Sequence, residues 1–412
     1  MSEAWLIDAC RTPRGIGKPG KGALTEIHPQ HLSATVLRAI AERNDLDTAD
    51  VDDVIWGTSA QVGTQGGDLG RMAALDAGYA TASSGVTIDR FCGSSLTAGN
   101  LAAGMIISGL EDVVVAGGCE MMSAASKNRA VTAFTVMDRG NLHLRQLHPQ
   151  TQQGIAADAI ATIEKIDRET VDILAAESQR RAAVAIKEGR FDRSLVPVFH
   201  PDGTLALDHD EFPRPGTTTE TLAGLKPSFA GLADQPVDES GTTFGDLVRF
   251  RYPDVDIQHV HHAGNSSGVV DGAAALLFAS QAYAQAHGLT PRARVRAIAN
   301  MGDDPTLMLN APVPAARKVL AKAGLTIDDI DLFEVNEAFA VVPEKFIRDL
   351  GVDRDKINVN GGAIALGHPI GATGSMLIGT ALDELERRAG RFALITMCAG
   401  GGMAPAMVIE RL

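Results

Sequence analysis

The chain has 412 residues, of which 45% are hydrophobic and 21% are charged, enough apolar material for large cores and two folded units. Its formal net charge of −14 argues against a general nucleic-acid or membrane-surface partner. No apolar run approaches the roughly 20 residues that cross a bilayer, so we predict no membrane insertion.

The amino terminus runs directly into an apolar strand pattern at residues 4–7, without a basic segment and a long apolar stretch of the kind that directs export. The chain has four widely spaced cysteines, which form none of the close pairs that structural zinc sites and small disulfide frameworks use. They are Cys10, Cys92, Cys119 and Cys398. A reducing compartment follows from this spacing, and we expect a cytoplasmic protein.

Short apolar runs rich in β-branched residues alternate with alanine-rich helical stretches along the chain. Residues 113–115 follow a helical pattern at 101–110, and residues 394–396 follow one at 376–385. This alternation predicts an α/β fold whose sheets are buried on both faces.

An internal repeat relates the two ends of the chain at an offset of about 280 residues. Residues 46–57 (LDTADVDDVIWG) resemble residues 325–336 (LTIDDIDLFEVN), and residues 113–118 (VVVAGG) resemble residues 394–400 (LITMCAG). The order of the segments is the same in both halves, which indicates a duplicated domain.

The region from about 123 to 259 differs in character from the repeats on either side. It carries more charge, proline-rich turns such as 212–216, and an amphipathic helical pattern around 171–187. A long insertion of this kind is typical of a lid or binding subdomain. We predict an N-terminal domain at 1–285 that includes this insertion and a C-terminal domain at 286–412.

Cys92 is predicted to lie at a strand-to-helix turn, after the alternating pattern at 86–88 and before a small-residue helix at 94–109. The amides at a helix N-terminus favour a thiolate there, which would make Cys92 a nucleophile. The alternative is a buried, inert cysteine, the commonest fate of a lone cysteine.

His368 lies in a glycine-lined loop before another helix start, and Pro369 stiffens that turn. A histidine that caps a loop is the structural alternative. Because a thiol nucleophile needs a nearby base, the matching positions of Cys92 and His368 in the two halves favour a catalytic pair.

Cys398 ends a predicted buried strand and is followed by Ala399 and three glycines, which allow backbone N–H groups to approach an oxyanion closely. It is the candidate for a second proton-transfer role. Asn336 follows a predicted strand at 331–335, where active sites of α/β folds collect. The alternative for Asn336 is a helix N-cap with Glu337 in the first turn, and both interpretations can hold together.

Two further patterns are weighed and set aside. Residues 17–22 (GKPGKG) look like a phosphate loop but lack the spacing and the Ser or Thr of the nucleotide motif. His259, His261 and His262 suggest a metal site. Only the first two would share a face of a strand, however, and no acidic or thiol residue is adjacent in sequence, so we predict no metal.

Over nearly its whole length the chain resembles the thiolase family. The resemblance lies in the segments around Cys92, Asn336, His368 and Cys398, and in three further segments that occur in the family order, 117–123, 214–229 and 262–275. It implies the thiolase fold, in which two duplicated α/β halves form five layers, α-β-α-β-α, with a loop domain inserted in the first half. It also implies a homodimer or homotetramer.

The family resemblance also implies a role for each residue of the site. Cys92 would take the acyl group, His368 would activate Cys92, and Cys398 would move the proton at the α-carbon of the acetyl unit. Asn336 would hold a water that forms one oxyanion hole with His368. The backbone amides of Cys92 and Gly400 would form the other oxyanion hole.

Coenzyme A is implied as a substrate, and no cofactor is expected. Ser267 matches the family position that meets the pantetheine, and Arg214 matches one beside the nucleotide. Arg214 suits a phosphate or an adenine face. Ala338 and Phe339, in the Asn336 segment, complete the expected substrate-binding residues.

Three departures from the family pattern bear on the substrate. Ser95 stands where many thiolases have glycine, and residues 152–154 read Gln-Gln-Gly where short-chain biosynthetic members have His-Met-Gly. The stretch 232–258 is longer than in those members and resembles the thiolase component of bacterial fatty-acid oxidation complexes. We therefore predict a degradative 3-ketoacyl-CoA thiolase, which cleaves its substrate with CoA to acetyl-CoA and a shortened acyl-CoA.

Two other functions are considered beside this one. The same chemistry run in the condensing direction would give an acetoacetyl-CoA-forming acetyl-CoA acetyltransferase. A protein of another class, a non-catalytic acyl-CoA-binding or lipid-binding thiolase-like protein, would be expected to lose at least one of the four site residues. A hydratase/dehydrogenase subunit of a β-oxidation complex is considered as a partner, although no sequence feature identifies its surface.

Overall fold

The computed structural model describes residues 3–127 and 136–412. Residues 128–135, which belong to the predicted insertion at 123–259, lie outside the described residues. No helix in the described ranges combines the length and apolar character that crossing a membrane requires.

The strands and helices are numbered in chain order. Strands β1 to β12 are Ala4–Arg11, Gly15–Ile16, Asp53–Gly57, Val86–Ile88, Val113–Met121, Val198–Phe199, Leu205–Leu207, Val270–Ser280, Ala293–Gly302, Leu332–Val335, Phe392–Thr396 and Met403–Arg411. Helices α1 to α15 are Pro29–Arg43, Leu69–Asp76, Ser94–Ser108, Met122–Lys127, Leu142–Leu147, Gln153–Ile163, Arg168–Lys187, Thr219–Ala223, Ala230–Ala233, Phe244–Arg249, Gln281–Ala286, Pro312–Ala323, Val341–Leu350, Ala363–Leu366 and Thr373–Arg388.

The two halves share one strand order, which confirms the predicted duplication. The first half runs β4-β3-β5-β8-β1 across the sheet, and the second runs β10-β11-β12-β9. The place of β4 is taken in the second half by Ile357, which bridges Phe333 of β10 in the parallel sense. The pair β3 and β5 of the first half is parallel, as is the corresponding pair β10 and β11 of the second, and β3 is also parallel to β4. The halves join where β1 pairs with β9.

Helices α3 and α15 form the middle of the predicted five layers. Their apolar side chains share one core with the inner faces of both halves of the sheet. Helices α1 and α2 cover the outer face of the first half, and α12 and α13 cover that of the second. Because α3 carries no charged residue (SSLTAGNLAAGMIIS), most of its surface can be buried, and Leu101 is its one exposed large apolar side chain.

The two middle helices meet at equivalent positions of the repeat. The Ser375 N–H donates to Ser95 Oγ at 3.0 Å, and these residues are 280 positions apart. Ser95 is fully buried, and α3 begins at Ser94 in spite of the departure from glycine. The serine therefore supplies a contact between the halves.

The predicted elements agree closely with the observed bounds. The helix predicted at 94–109 ends at Ser108, where Gly109 takes a left-handed C-cap with φ 77°. The amphipathic helix predicted at 171–187 begins three residues earlier, at Arg168, because Asp167 caps it. All four cysteines are buried and free.

Candidate active site

The four predicted side chains lie at the ends of elements that correspond between the halves. Cys92 lies between β4 and α3, and His368 lies between α14 and α15. Asn336 directly follows β10, and Cys398 follows β11, the parallel neighbour of β10. All four side chains are buried. The duplication thus places one cysteine and one histidine in the connections that precede the two middle helices, α3 and α15.

The turn that carries Cys92 is strained and tightly held. Phe91 has φ +50°, a left-handed conformation that is unusual for a bulky side chain and costs of order 1–3 kcal/mol. Asp89 Oδ1 accepts the Phe91 N–H at 2.7 Å, and Ser94 Oγ accepts the Arg90 N–H at 2.9 Å and donates to the Phe91 carbonyl at 2.6 Å. These bonds fix the direction in which Cys92 leaves the turn.

The resting thiol of Cys92 is neutral. Burial raises its pKa to about 12, and the nearby Glu120 carboxylate adds to the rise. The expectation that the helix N-terminus would favour a thiolate is therefore wrong for the resting site. A helix end contributes about 0.3–1 kcal/mol, whereas full burial shifts a pKa by several units. If Cys92 acts as a nucleophile, a base must take its proton.

His368 presents an accepting lone pair at Nε2, because its tautomer is fixed from the other side of the ring. The Thr373 hydroxyl donates to the Pro369 carbonyl at 3.0 Å, so it can only accept from His368 Nδ1, which lies 2.6 Å away. Nδ1 therefore carries the proton, and Nε2 is the basic atom. Sequence reasoning missed Thr373, five residues after the histidine.

The imidazole of His368 is neutral at physiological pH. Burial lowers its pKa to about 3, and the positive charge of Arg14 contributes to the decrease. Arg14 is itself buried, and its Nη1 lies 4.0 Å from Asp210 Oδ2. The backbone N–H of His368 donates to the Gly268 carbonyl at 2.9 Å, which fixes the ring from the main chain.

Asn336 is part of the site and does not cap a helix. The following helix begins at Val341 with Ala340 at its N-cap, so the N-cap alternative is wrong. Asn336 Nδ2 lies 3.4 Å from His368 Nε2, and Asn336 Oδ1 is buried without a hydrogen-bond partner among the described residues. A buried polar atom of this kind is costly unless a ligand or water meets it.

Glu337, the neighbour of Asn336, points away from the site. Its carboxylate accepts from Ser178 Oγ at 2.7 Å and from Asn358 Nδ2 at 3.1 Å. It also accepts the Ile364 N–H at 3.1 Å. Glu337 therefore ties α7 to the two loops that lead toward His368, a supporting role.

Cys398 and Gly400 lie at the start of a tight hairpin against the Cys92 turn. Ala399 and Met403 pair across the hairpin, whose tip holds two glycines with φ near 75°. A Cβ at Gly400 would lie 2.7 Å from Met137 Cε and 3.1 Å from the Phe91 ring, so a side chain there would push both neighbours away. The Gly400 N–H donates to no described residue. Burial raises the pKa of the Cys398 thiol, and Cys92 adds to the rise.

Glu120 joins the site loops, and sequence reasoning missed it. One oxygen accepts the backbone N–H groups of Ser59 and Gly371, both at 2.9 Å. The other accepts from the Ala60 N–H at 3.1 Å and from Gln65 Nε2 at 3.2 Å. Gly371 lies three residues after His368, so this carboxylate connects the first half to the histidine loop.

Replacement of Glu120 by alanine should lower the free energy of unfolding by about 2–4 kcal/mol, because it leaves buried N–H groups without an acceptor. Urea denaturation of the purified variant measures the change. Glu188→Ala, which removes an exposed ion pair with Arg190, is the control and should change stability by less than about 1 kcal/mol. Equal stability of the two variants would contradict the role given to Glu120.

A cavity of about 1080 Å³ lies beside the histidine loop. Arg214, Ser267, Gly268 and Ile364 are among the residues that line it. The Gly268 carbonyl accepts the His368 N–H, so the wall of the cavity is bonded directly to the histidine loop. The cavity is large enough for a long, narrow substrate arm.

Ala338 and Phe339 lie in the layer behind this cavity wall. The Ala338 carbonyl accepts the Ser267 N–H at 3.0 Å, and Phe339 bridges to Ser266. The Phe339 ring packs edge-on against Phe229, which does line the cavity. These two residues thus support the wall instead of facing the cavity.

The Gln-Gln-Gly departure is built into the cavity wall. Gln152 Oε1 accepts the Gly154 N–H at 2.6 Å and caps α6. A side chain at Gly154 would lie 2.3 Å from the Phe229 ring, so the glycine allows that ring to pack against the helix. The glycine, which both sequence patterns share, therefore shapes the surface around Phe229, and the departure at Gln152 supplies the cap of the helix.

The three clustered histidines bind carboxylates. Nδ1 of His259 and of His261 each lie 2.7 Å from Asp158, and His262 Nε2 lies 2.9 Å from Asp172. The structure supplies acidic partners that are distant in sequence. Within residues 3–127 and 136–412, no group of three or more His, Cys, Asp or Glu side chains could hold a metal ion.

Comparison with known proteins agrees with this geometry. Residues 4–233 match the family described as thiolase, N-terminal domain, and residues 289–411 match thiolase, C-terminal domain. The chain is a member of the thiolase family. Together the matches span most of its length, and they bear out the resemblance and the fold class.

Relatives of this thiolase align with it over its full length. It is 41% identical to the steroid 3-ketoacyl-CoA thiolase of Mycobacterium tuberculosis, over 100% of this chain and 95% of that protein. It is 42% identical to the 3-oxoadipyl-CoA/3-oxo-5,6-dehydrosuberyl-CoA thiolase of Escherichia coli, over 100% of both. It is 39% identical to a 3-ketoacyl-CoA thiolase of Cronobacter sakazakii, over 100% of both. The chain is therefore an enzyme of this family.

Proposed function

We propose that this thiolase cleaves 3-ketoacyl-CoA with CoA, by a reversible ping-pong mechanism through an acyl group on Cys92. The observation that carries the proposal is the fixed tautomer of His368, which leaves an accepting Nε2 beside Asn336, in the loop before α15, the helix that contacts α3 after Cys92. The Cys92 thiol and this imidazole are both neutral at rest, and burial of each makes proton transfer between them unfavourable until attack on the substrate drives it.

In the first half-reaction Cys92 Sγ would attack the 3-keto carbon while His368 Nε2 takes the thiol proton. Cleavage of the bond between carbons 2 and 3 leaves the acyl group on sulfur and the electron pair on an acetyl-CoA enolate. Cys398 would protonate carbon 2 of that enolate, which releases acetyl-CoA. Burial keeps the Cys398 thiol protonated until this step, as a general acid requires.

Each half-reaction needs donors for a negatively charged oxygen. The Gly400 N–H, which meets no described residue, supports the proposal that it and the Cys92 N–H form one oxyanion hole. The position of Asn336 beside His368 Nε2 supports a second hole, in which a water bound by Asn336 and the protonated His368 stabilise the enolate. Removal of one such donor typically costs about 10²–10³-fold in kcat.

In the second half-reaction the CoA thiol would give its proton to the Cys398 thiolate left by the first half-reaction, and its sulfur would attack the carbonyl carbon of the Cys92 thioester. As the bond to Cys92 Sγ breaks, His368 would return its proton to that sulfur. Ser267 and Arg214 both line the large cavity, which supports its use as the path of CoA. Coenzyme A acts here as a substrate, and no cofactor is needed. A shortened acyl-CoA leaves, and the Cys92 thiol is restored.

The test is the CoA-dependent loss of enolate absorbance of 3-ketoacyl-CoA substrates of increasing chain length, from acetoacetyl-CoA upward. We expect rates that rise beyond four carbons, because the Gln152 segment departs from that of short-chain members. A ring-derived and a carboxylate-ended substrate belong in the series, since two relatives carry such substrates in their names.

Activity restricted to four carbons would instead support the acetoacetyl-CoA-forming acetyl-CoA acetyltransferase. Binding of acyl-CoA without turnover of any substrate would support the non-catalytic alternative. Either result would overturn the degradative function.

We further propose a homodimer or homotetramer in the cytoplasm. Strand β4 forms one edge of the sheet and pairs only with β3 among the described strands, and its Val86 is 40% exposed. An open strand edge of this kind supports pairing with a second copy. Light scattering of the purified protein measures the mass, and co-purification from native extract tests association with a hydratase/dehydrogenase subunit.

A further inference from the structure

The loop at 17–22, between β2 and α1, forms part of the wall of the large cavity. Gly17, Lys18 and Pro19 line the cavity together with Arg214, which comes from the inserted region. The sequence pattern GKPGKG was set aside because it lacks the nucleotide motif. In the structure, three residues of this segment line a cavity, which gives the segment a possible ligand.

The backbone of this loop is held in a compact turn. The Gly17 N–H donates to the Val269 carbonyl at 2.9 Å, and Val269 also lines the cavity. The Lys18 carbonyl accepts the N–H groups of Lys21 and Gly22 at 3.0 and 3.2 Å. A side chain at Gly22 would lie 1.7 Å from the Ile16 carbonyl oxygen, so the turn requires glycine there.

Glu211 fixes the distance between this loop and Arg214. Its carboxylate accepts the Ile16 N–H at 2.8 Å and the Ala23 N–H at 3.2 Å, one on each side of the loop. Arg214 follows three residues later, and its N–H donates to Gln179 Oε1 at 2.8 Å. Glu211 is thus hydrogen-bonded to both ends of the loop. The segment that carries Arg214 is therefore held beside the loop that carries Lys18.

The charges around the cavity favour an anion. The described lining residues include two cations, Lys18 and Arg214, and no carboxylate, although the chain has 51 Asp and Glu residues. Neither cation forms an ion pair with a described residue, whereas Arg11, for comparison, pairs with Asp210. The Arg214 guanidinium lies 5.6 Å above the Phe212 ring. Two unpaired cations in an acidic protein mark a local site for phosphate.

We propose that Lys18 binds a phosphate group of coenzyme A, so that it and Arg214 hold the nucleotide end of CoA while the pantetheine runs toward Ser267. This inference rests on the proposed function, and it assigns the loop at 17–22 to substrate affinity. Lys18 is a flexible point charge and Arg214 a planar fork, so they suit different oxygens of the phosphate groups.

The test is calorimetric titration of the purified full-length protein with CoA and, separately, with pantetheine, which lacks the phosphates. Lys18→Ala should raise the Kd for CoA about three- to tenfold, the effect of losing one partly exposed charge pair. It should leave the Kd for pantetheine unchanged, and the affinity for CoA should depend less steeply on salt. Lys21→Ala is the matched control, since Lys21 lies in the same loop but does not line the cavity.

Equal CoA affinity of the Lys18→Ala and wild-type proteins would overturn the inference. An equal loss of affinity for pantetheine and CoA would also overturn it, because it would show a structural effect of the loop. The binding assay needs no turnover, so CoA binding without thiolysis would overturn the proposed function alone. No CoA binding by the wild-type protein would overturn both.

Discussion

Replacement of Cys92 by alanine is expected to lower kcat for thiolysis by a factor on the order of 10⁴ or more. Removal of a nucleophile in a covalent mechanism leaves only the contribution of substrate binding and oxyanion donors. The alanine fits the site, because the surrounding turn is held by Asp89 and Ser94 and not by the thiol. The loss should therefore appear in kcat, with CoA binding retained.

Cys119→Ala is the matched control for this variant. Cys119 is also buried, in β5, and its thiol donates to the Pro29 carbonyl at 3.8 Å and lies beside Ser33. We expect this variant to keep its turnover within a few-fold. Full activity of Cys92→Ala, measured by the decay of enolate absorbance, would remove Cys92 from the mechanism.

Replacement of His368 by alanine should lower kcat by about 10²–10⁴-fold, the usual contribution of a general base. The physical reason is the neutral Cys92 thiol, whose pKa of about 12 leaves almost no thiolate at neutral pH. Without Nε2 nothing in the site takes the proton at the moment of attack. Alkylation of Cys92 by iodoacetamide, followed at neutral pH, should slow in parallel with turnover.

His287→Ala serves as the control, since His287 is exposed on the first half and stacks on Tyr283. It should leave both rates unchanged. If His368→Ala alkylated Cys92 as fast as the wild type, another group would have to be the base. A kcat that fell while alkylation stayed fast would restrict His368 to the oxyanion role.

The positions of the site residues could be predicted from local patterns. Cys92 follows a period-2 run and precedes a helix without charges, and both signals are local, so the turn between them was predictable. The repeat with its offset of about 280 residues then places His368 at the matching turn of the second half. Ser95 and Ser375, which touch across the halves, have that same offset.

The electrostatic state of the site could not be predicted in the same way. Burial of Cys92 depends on both halves of the sheet and both middle helices, and it outweighs the local helix end that favoured a thiolate. The tautomer of His368 depends on a single hydrogen bond, which the Thr373 hydroxyl donates to the Pro369 carbonyl. The sequence alone does not reveal this bond. Glu120 accepts hydrogen bonds from backbone N–H groups of distant loops. Because every residue except proline has such a group, these partners cannot be recognised from residue types in the sequence.

The surroundings of the loop at 17–22 could not be predicted from its sequence either. Its glycines and lysines were correctly judged not to form a nucleotide motif. Their actual neighbours, Glu211 and Arg214, come from the inserted region nearly 200 residues later. Only the fold brings Lys18 and Arg214 to one cavity.

The most direct test of the mechanism is to find the residue that carries the acyl group. The protein would be incubated with acetyl-CoA in the absence of free CoA, quenched in acid, digested and analysed by mass spectrometry. We expect an acetyl group on the peptide that contains Cys92, and we expect this group to be lost when CoA is added before the quench. An acetyl group on Cys398, or on neither cysteine, would contradict it.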